Sequence, residues 1–349
     1  MQRRDFLGFT AIVGGGMFLS ACNSSNAAAA LADTTSYPKP EGAVTYYAEI
    51  RVPGPENPTV LGKIDELITA MAEKTGYLSI SFKQMTGEST MVKNYPDNKK
   101  GILDRGFAKE SDTDGVPGQP TSTKIPYFYS LFVRFDKYDN MVASGVQEWF
   151  KANIVPSLFA YNASTTPPTK TSIALDYYEG VFVTVAAGDR NAIYTEQAEI
   201  LNFLQNQADE VGQSLVTVEN HVMIKDANLN EFNEKVKNLL TTAQNTFRPD
   251  VSDADYDPNF PYGQEGTADN TYYRKAVTTE ILQNAFPDGG LRAYLMHGVW
   301  ESMYDHENSH IDVRFQQAAG PVGAYVVVGP VEPFYDTIKQ DGIKEEVPA

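Results

Sequence analysis

Residues 45–52, TYYAEIRV, alternate apolar and polar side chains with the period of two expected of a half-buried strand. A helical period follows in NPTVLGKIDELITAMAEKTG (57–76), where Val60, Ile64, Leu67, Ile68 and Met71 fall on one face. Asn57 and Pro58 suit the start of that helix, and Gly76 suits a left-handed stop. YLSISFKQM and IPYFYSLFVRF (125–135) have strand character, VASGVQEWFKANIVPSLF predicts a second helix, and ALDYYEGVFVTV (174–185) a last strand. The order is β-α-β-β-α-β.

The pattern then repeats. TVENHVMI (217–224) predicts a strand, and NLNEFNEKVKNLLTTAQ a helix with Phe232, Val236, Leu239, Leu240 and Ala243 inward. AVTTEIL (276–282) and LRAYLMHGVWE (291–301) predict strands joined by a turn at Pro287-Asp288-Gly289-Gly290. A second helix and the strand AYVVVGPVEPFY complete the unit. Two such split units predict an α+β chain: two tandem ferredoxin-like βαββαβ units whose bare sheet faces cover one another in a single-chain α+β barrel. The expected boundaries are 43–190 for a first, degenerate domain, 191–214 for a linker helix, 215–338 for a second domain with a pocket, and 339–349 for a tail.

The amino terminus changes the picture of where the chain works. MQRRDFLGF places Arg3 and Arg4 before Phe6 and Leu7 and resembles a twin-arginine export signal. The apolar stretch after it is too short for a stable span and ends in Leu19-Ser20-Ala21-Cys22, which resembles a bacterial lipobox. Residues 1–21 are therefore expected to be a signal peptide recognised by the twin-arginine translocase. Cys22 is expected to be a lipidated first residue and 22–42 a flexible tether. The chain would then be anchored in the cell envelope, at the periplasmic face or the outer membrane. Cys22 is the sole cysteine, so no internal disulfide is available. A formal charge of −17 argues against nucleic acid and anionic lipid as partners, leaving the lipid as the only membrane contact.

GVWES, SHIDVRF and GPVEPF, in that order, resemble the C-terminal half of an antibiotic-biosynthesis monooxygenase domain, over about residues 215–337. Residues 44–187 share only the pattern. The resemblance implies the dimeric α+β barrel fold, here within one chain, and oxygenation of aromatic or quinol substrates without metal or flavin. In the haem-degrading branch of that family an Asn stands on the first strand, where Asn220 stands here. Counted from Trp300, that branch's Trp and haem-ligating His fall on Ser309 and Ala319, which breaks the haem pattern.

Strand parity supplies an independent pointer to the second half. Asn220 shares a face with Val216, Val218, Val222 and Ile224, whereas its counterpart in the first half is Ile50. A lone amide among apolar side chains lines a cavity or is satisfied in the core. On the opposite face Glu219, His221 and His297 are expected to meet, either as an acid–base group or as a buried polar network. HENSH (306–310) has zinc-peptidase spacing, with His306 and His310 as ligands and Glu307 as base. Against that stand the charged neighbours Asp305 and Asp312 and the lack of a third His; Glu332 would have to serve from the last strand. A solvated helix face carrying one pocket His is the expectation instead. Asp253, Asp255 and Asp257 have calcium-loop spacing without its Gly and Glu, and predict an acidic loop.

The function these residues predict is oxygenation of a small aromatic or quinol substrate with no cofactor, haem and zinc being the alternatives. Asn220 would orient the substrate oxygen or O₂, His310 would be base or donor, and Trp300 a wall. A lipoprotein that only binds a small hydrophobic ligand, or haem, is the second reading, and a zinc hydrolase built on HENSH the third.

Overall fold

The computed structural model describes residues 37–88, 127–162, 164–167, 169–249, 252, 254, 258–259, 273–310 and 312–342. Arg3, Arg4, Cys22, Asp253, Asp255 and Asp257 lie outside them. The chain forms two compact units that divide inside a strand, after Phe182, rather than in a linker.

In the first unit β1 (Val44–Val52) pairs antiparallel with β3 (Tyr127–Phe135), which also pairs with β2 (Tyr77–Glu88). The fourth strand, β6 (Asp176–Asp189), lies against β1, giving the sheet order of a split β-α-β. Helix α1 (Asn57–Met71) buries Val60, Ile64, Leu67 and Met71, as its spacing requires. Asn57 is its first residue, and its Oδ1 accepts a hydrogen bond of 2.6 Å from Tyr129 Oη. The second helix is broken into α2 (Tyr138–Ser144) and α3 (Val146–Asn153). Gly145 between them has φ +71°, a left-handed conformation that ends one helix and starts the next. The segment expected to end that helix instead forms strand β4 (Leu158–Asn162), in a hairpin with β5 (Thr169–Ile173).

The second unit opens with β7 (Ile193–Tyr194), which pairs with β6, and helix α4 (Gln197–Gln205). Strand β8 (Val216–Lys225), helix α5 (Leu229–Asn245), β9 (Thr278–Asn284) and β10 (Leu291–Trp300) then repeat the first unit's path. β10 pairs with β8 on one side and β9 on the other. The second helix is again double: α6 (Met303–Ser309) and α7 (Val313–Gly323). Two last strands, β11 (Val326–Val331) and β12 (Pro333–Asp341), both pair with β8. Phe232, Val236, Leu239 and Leu240 of α5 pack on Val222, Ile224 and Tyr294. Each such burial stabilises by about 1.5–3 kcal/mol relative to exposure.

Strands β2, β6 and β12 each run from one unit into the other. The strands are hydrogen-bonded in the order β1-β3-β2-β12-β8-β10-β9-β6, with β6 also on β1. No described helix is long and apolar enough to cross a membrane.

Candidate functional site

Helix α6 carries most of HENSH, and its ends are fixed by side chains. Ser302 is its N-cap, with Oγ accepting from Asp305 N at 3.2 Å and donating to Asp305 Oδ2 at 2.7 Å. Arg274 closes the group, its backbone N–H donating to Asp305 Oδ1 at 2.8 Å and its guanidinium to Oδ2 at 3.0 Å. Glu301 pairs with both Arg274 and Arg190. Asp312 caps α7 in the same manner, accepting from Arg314 N at 2.9 Å, from the Arg314 guanidinium at 2.6 Å and from Tyr273 Oη at 2.5 Å. Burial alone would raise the Asp312 carboxyl, but these donors hold it below its ordinary value. The two aspartates that argued against a metal motif are thus the pins that set it in place.

The expectation of a solvated helix face is corrected. His306 is 4% exposed and Ser309 fully buried, its hydroxyl donating to His306 O at 2.7 Å. The cause is packing: the His306 ring meets Trp300 at 5.4 Å and Phe334 at 5.4 Å, both edge-on. His310, the residue that ends α6, lies 4.3 Å from His306 and stacks on Phe315 at 4.8 Å. Burial first, and His306 second, push the His310 imidazole down to about 4, against the pull of Glu332 and Glu307. At neutral pH it is an uncharged ring with a lone pair, a better ligand or acceptor than a base.

Glu332 completes the group. One donor atom from each of His306, His310 and Glu332 lies within 4.8 Å of the others. Asn220 Nδ2 donates to Glu332 Oε1, which fixes the carboxylate against β8. Three buried polar atoms here have no hydrogen-bond partner: Asn220 Oδ1, Glu332 Oε2 and His306 Nδ1. Glu307 Oε1 is 3.6 Å from His306 Nδ1, too far to hydrogen-bond. Glu307 is partly exposed, and Glu332, which the sequence offered as a third ligand from the last strand, is the carboxylate that stands beside the histidines.

Glu332 reaches this position through an irregular strand. The pairing of β11 with β8 shifts register twice, between Val326 and Val328 and between Val328 and Val331. Gly329 lies in the second shift, at φ +97°; a Cβ there would come within 2.4 Å of His221 O. Only glycine admits both that conformation and that approach. The Gly-Pro of the family resemblance lies within β11, at the register shift that precedes Glu332.

The structure also brings together Glu219, His221 and His297. His297 is in register with Glu219 on β8 and with Glu280 on β9, and His221 Nε2 lies 3.7 Å from Glu219 Oε2. Glu219, Glu280 and His297 are buried, and Thr184 Oγ1 donates to Glu280 Oε1 at 2.5 Å. This row lies on the sheet face opposite Asn220, so it is separate from the Glu332 group.

The first unit holds a carboxylate on its own fourth strand, facing its own second helix. Glu179 of β6 accepts from Tyr46 Oη at 2.9 Å and Gln147 Nε2 at 3.0 Å, and pairs with Lys151 at 2.7 Å. Burial and Glu179 together hold the Tyr46 phenol well above its ordinary value, so it stays a donor.

The class these features define is a tandem ferredoxin-like α+β protein; in its second unit Asn220, His306 and Glu332 together hold buried polar atoms without a partner among the described residues. Residues 43–140 match the ABM-like domain, and residues 185–338 match the CT0912-like C-terminal domain. The first match falls on the half that sequence had linked to the antibiotic-biosynthesis monooxygenases by pattern alone. Among solved structures, an anthrone oxidase-like protein is similar at a TM-score of 0.48 and 11% identity, over 88% of this chain and 97% of that one. A candidate monooxygenase from Fusobacterium nucleatum subsp. nucleatum is similar at 0.45 and 9%, over 86% and 94%. Another, from Lactobacillus acidophilus, is similar at 0.43 and 8%, over 86% and 99%. No curated protein sequence matches the chain.

Proposed function

We propose that this chain is an oxidoreductase of the monooxygenase type. It acts on a small aromatic or quinol-like substrate bound beside Asn220, His306, His310 and Glu332. The observation that carries this reading is the set of unpartnered buried polar atoms on Asn220, His306 and Glu332, next to the rings of Trp300, Phe315 and Phe334. Aromatic rings suit an aromatic substrate, and the unused Asn220 Oδ1 is an acceptor for its hydroxyl. Trp300 keeps its role as a wall. His310 is reassigned from base to neutral lone-pair donor. The ABM-like match supports the reaction class.

In the proposed reaction the substrate is the reductant. A phenol carbon that carries two hydrogens in its keto form becomes a carbonyl; one atom of O₂ enters it, and the other leaves as water with those hydrogens. The enzyme works outside the cytoplasm, exported through Arg3 and Arg4 and held by lipid at Cys22. That location rests on the leader sequence.

Oxygen uptake with a panel of phenols, quinols and anthrones tests the reading. Saturable uptake with one ¹⁸O atom in the product and one in water is expected, falling about tenfold or more in Asn220→Ala. Ligand binding with no uptake by any member of the panel would establish the binding-only lipoprotein instead.

A further inference from the structure

We propose that His306, His310 and Glu332 bind one divalent first-row transition-metal ion, with Asn220 as the outer residue that orients Glu332. The inference rests on where the site lies, as proposed above, and not on oxygenation.

Four observations converge on it. The donor atoms are grouped: two imidazoles and a carboxylate within 4.8 Å of one another. A four-coordinate ion with bonds of about 2.0–2.1 Å places its ligands roughly 3.4 Å apart, so the side chains need to close by an ångström or so. The donor types are those of zinc or iron(II) sites, not of calcium or magnesium, which take oxygen ligands almost throughout.

The second observation is what the group lacks. His306 and Glu332 are each 4% exposed, and each holds a polar atom without a partner. A buried polar atom left unsatisfied costs about 1–3 kcal/mol, and here such atoms stand side by side. Among the described residues Glu332 has one hydrogen bond, from Asn220, and no Lys or Arg pairs with it. An ion supplies the missing charge and the missing partners together.

Third, the outer shell is in place. A ligating carboxylate is normally hydrogen-bonded from behind, and Asn220 Nδ2 does this to Oε1 while leaving Oε2 unused. Fourth, the motif is rigidly presented by the Ser302 and Asp312 caps on either side of it. Three protein ligands leave further positions of the ion open, the arrangement of a working rather than a purely structural site.

The test uses the full-length protein, stripped with a chelator and titrated with cobalt(II) alone, zinc then competing. The expected result is one cobalt per chain, with a visible absorption band that zinc abolishes and millimolar calcium or magnesium does not. Glu332→Gln and His306→Ala should each weaken binding by about 100-fold or more, and Asn220→Ala by roughly 10–100-fold. Circular dichroism of the stripped variants shows whether each is folded; the isosteric Glu332→Gln carries the test if His306→Ala is not. Absence of binding at millimolar cobalt, or binding that is unchanged in a folded Glu332→Gln, overturns the proposal. Oxygen uptake by a protein that binds no cobalt would sink this inference and spare the oxygenase reading. Stoichiometric cobalt with no uptake on any phenol, quinol or anthrone would do the reverse.

Discussion

Glu179 and Glu332 are two versions of one feature, a buried carboxylate at the fourth strand of a split β-α-β unit, near that unit's second helix: Glu179 lies within β6, and Glu332 directly follows β11. In the first unit the carboxylate is saturated by a phenol, an amide and an ammonium. In the second it has one amide and two imidazoles, and an oxygen is left over. The lesson is about which buried charge signals function. A carboxylate whose partners are complete stabilises its own fold; one kept buried and incomplete costs stability, and a ligand is the natural return for that cost.

The comparison breaks most sharply on activity. Glu332→Ala should lower oxygen uptake and metal affinity by about 100-fold or more, as loss of an inner ligand does. Glu179→Gln should leave both within about twofold, since its partners touch no part of the site. Equal losses in the two variants, measured by oxygen electrode and cobalt titration, would mean that both carboxylates are structural.

On stability the order inverts. Glu179→Ala leaves the buried Tyr46 hydroxyl, Gln147 and Lys151 without their acceptor. A cost of about 2–4 kcal/mol is expected, discounted from a fully buried pair because Lys151 is about one-third exposed. Urea unfolding of the metal-free protein measures it. A loss under about 0.5 kcal/mol would show that Glu179 is not the anchor its partners suggest.

How much of this was legible in the sequence follows from which partners are local. The duplication was, because the periods of strands and helices are written into neighbouring residues, and Val60, Ile64, Leu67 and Met71 are buried as spaced. The hairpin of β4 and β5 was hidden, since NIVPSLF is as apolar as the helix it follows. Asn220 was singled out by parity alone, and Glu332 proved to be its partner. The burial of HENSH was misjudged for a physical reason. Asp305 and Asp312 look solvent-seeking beside a helix, but Arg274 and Tyr273 satisfy them from 31 and 39 residues away. Nor does sequence show that Gly329 bends β11, because the approach to His221 O comes from a strand about a hundred residues earlier.

Gly329 offers a way to sharpen the contrast between the units by moving one carboxylate without changing it. Gly329→Ala should cost about 1–3 kcal/mol, from backbone strain together with the contact on His221 O. It should also weaken cobalt binding, because the bend that aims Glu332 is disturbed. Gly62→Ala in α1 is the counterpart: nothing lies within 4 Å of the added methyl, and a helix interior favours alanine. It should stabilise by about 0.5–1 kcal/mol with no effect on metal. Normal cobalt affinity in a folded Gly329→Ala protein would separate the bend from the site.

The smallest effect is the most discriminating. Glu332→Gln keeps an oxygen acceptor for Asn220 Nδ2 and removes a buried charge that no Lys or Arg neutralises among the described residues. In metal-free buffer its stability should therefore lie within about 0.5 kcal/mol of the parent, on either side. Adding zinc should then open the gap. A protein that binds only when folded gains RT ln(1 + [L]/Kd), about 2.7 kcal/mol at a hundred times Kd, and the variant should gain almost none of it. If instead Glu332→Gln unfolds readily without metal and zinc shifts both proteins alike, Glu332 serves the fold as Glu179 does, and the two units differ in sequence but not in kind.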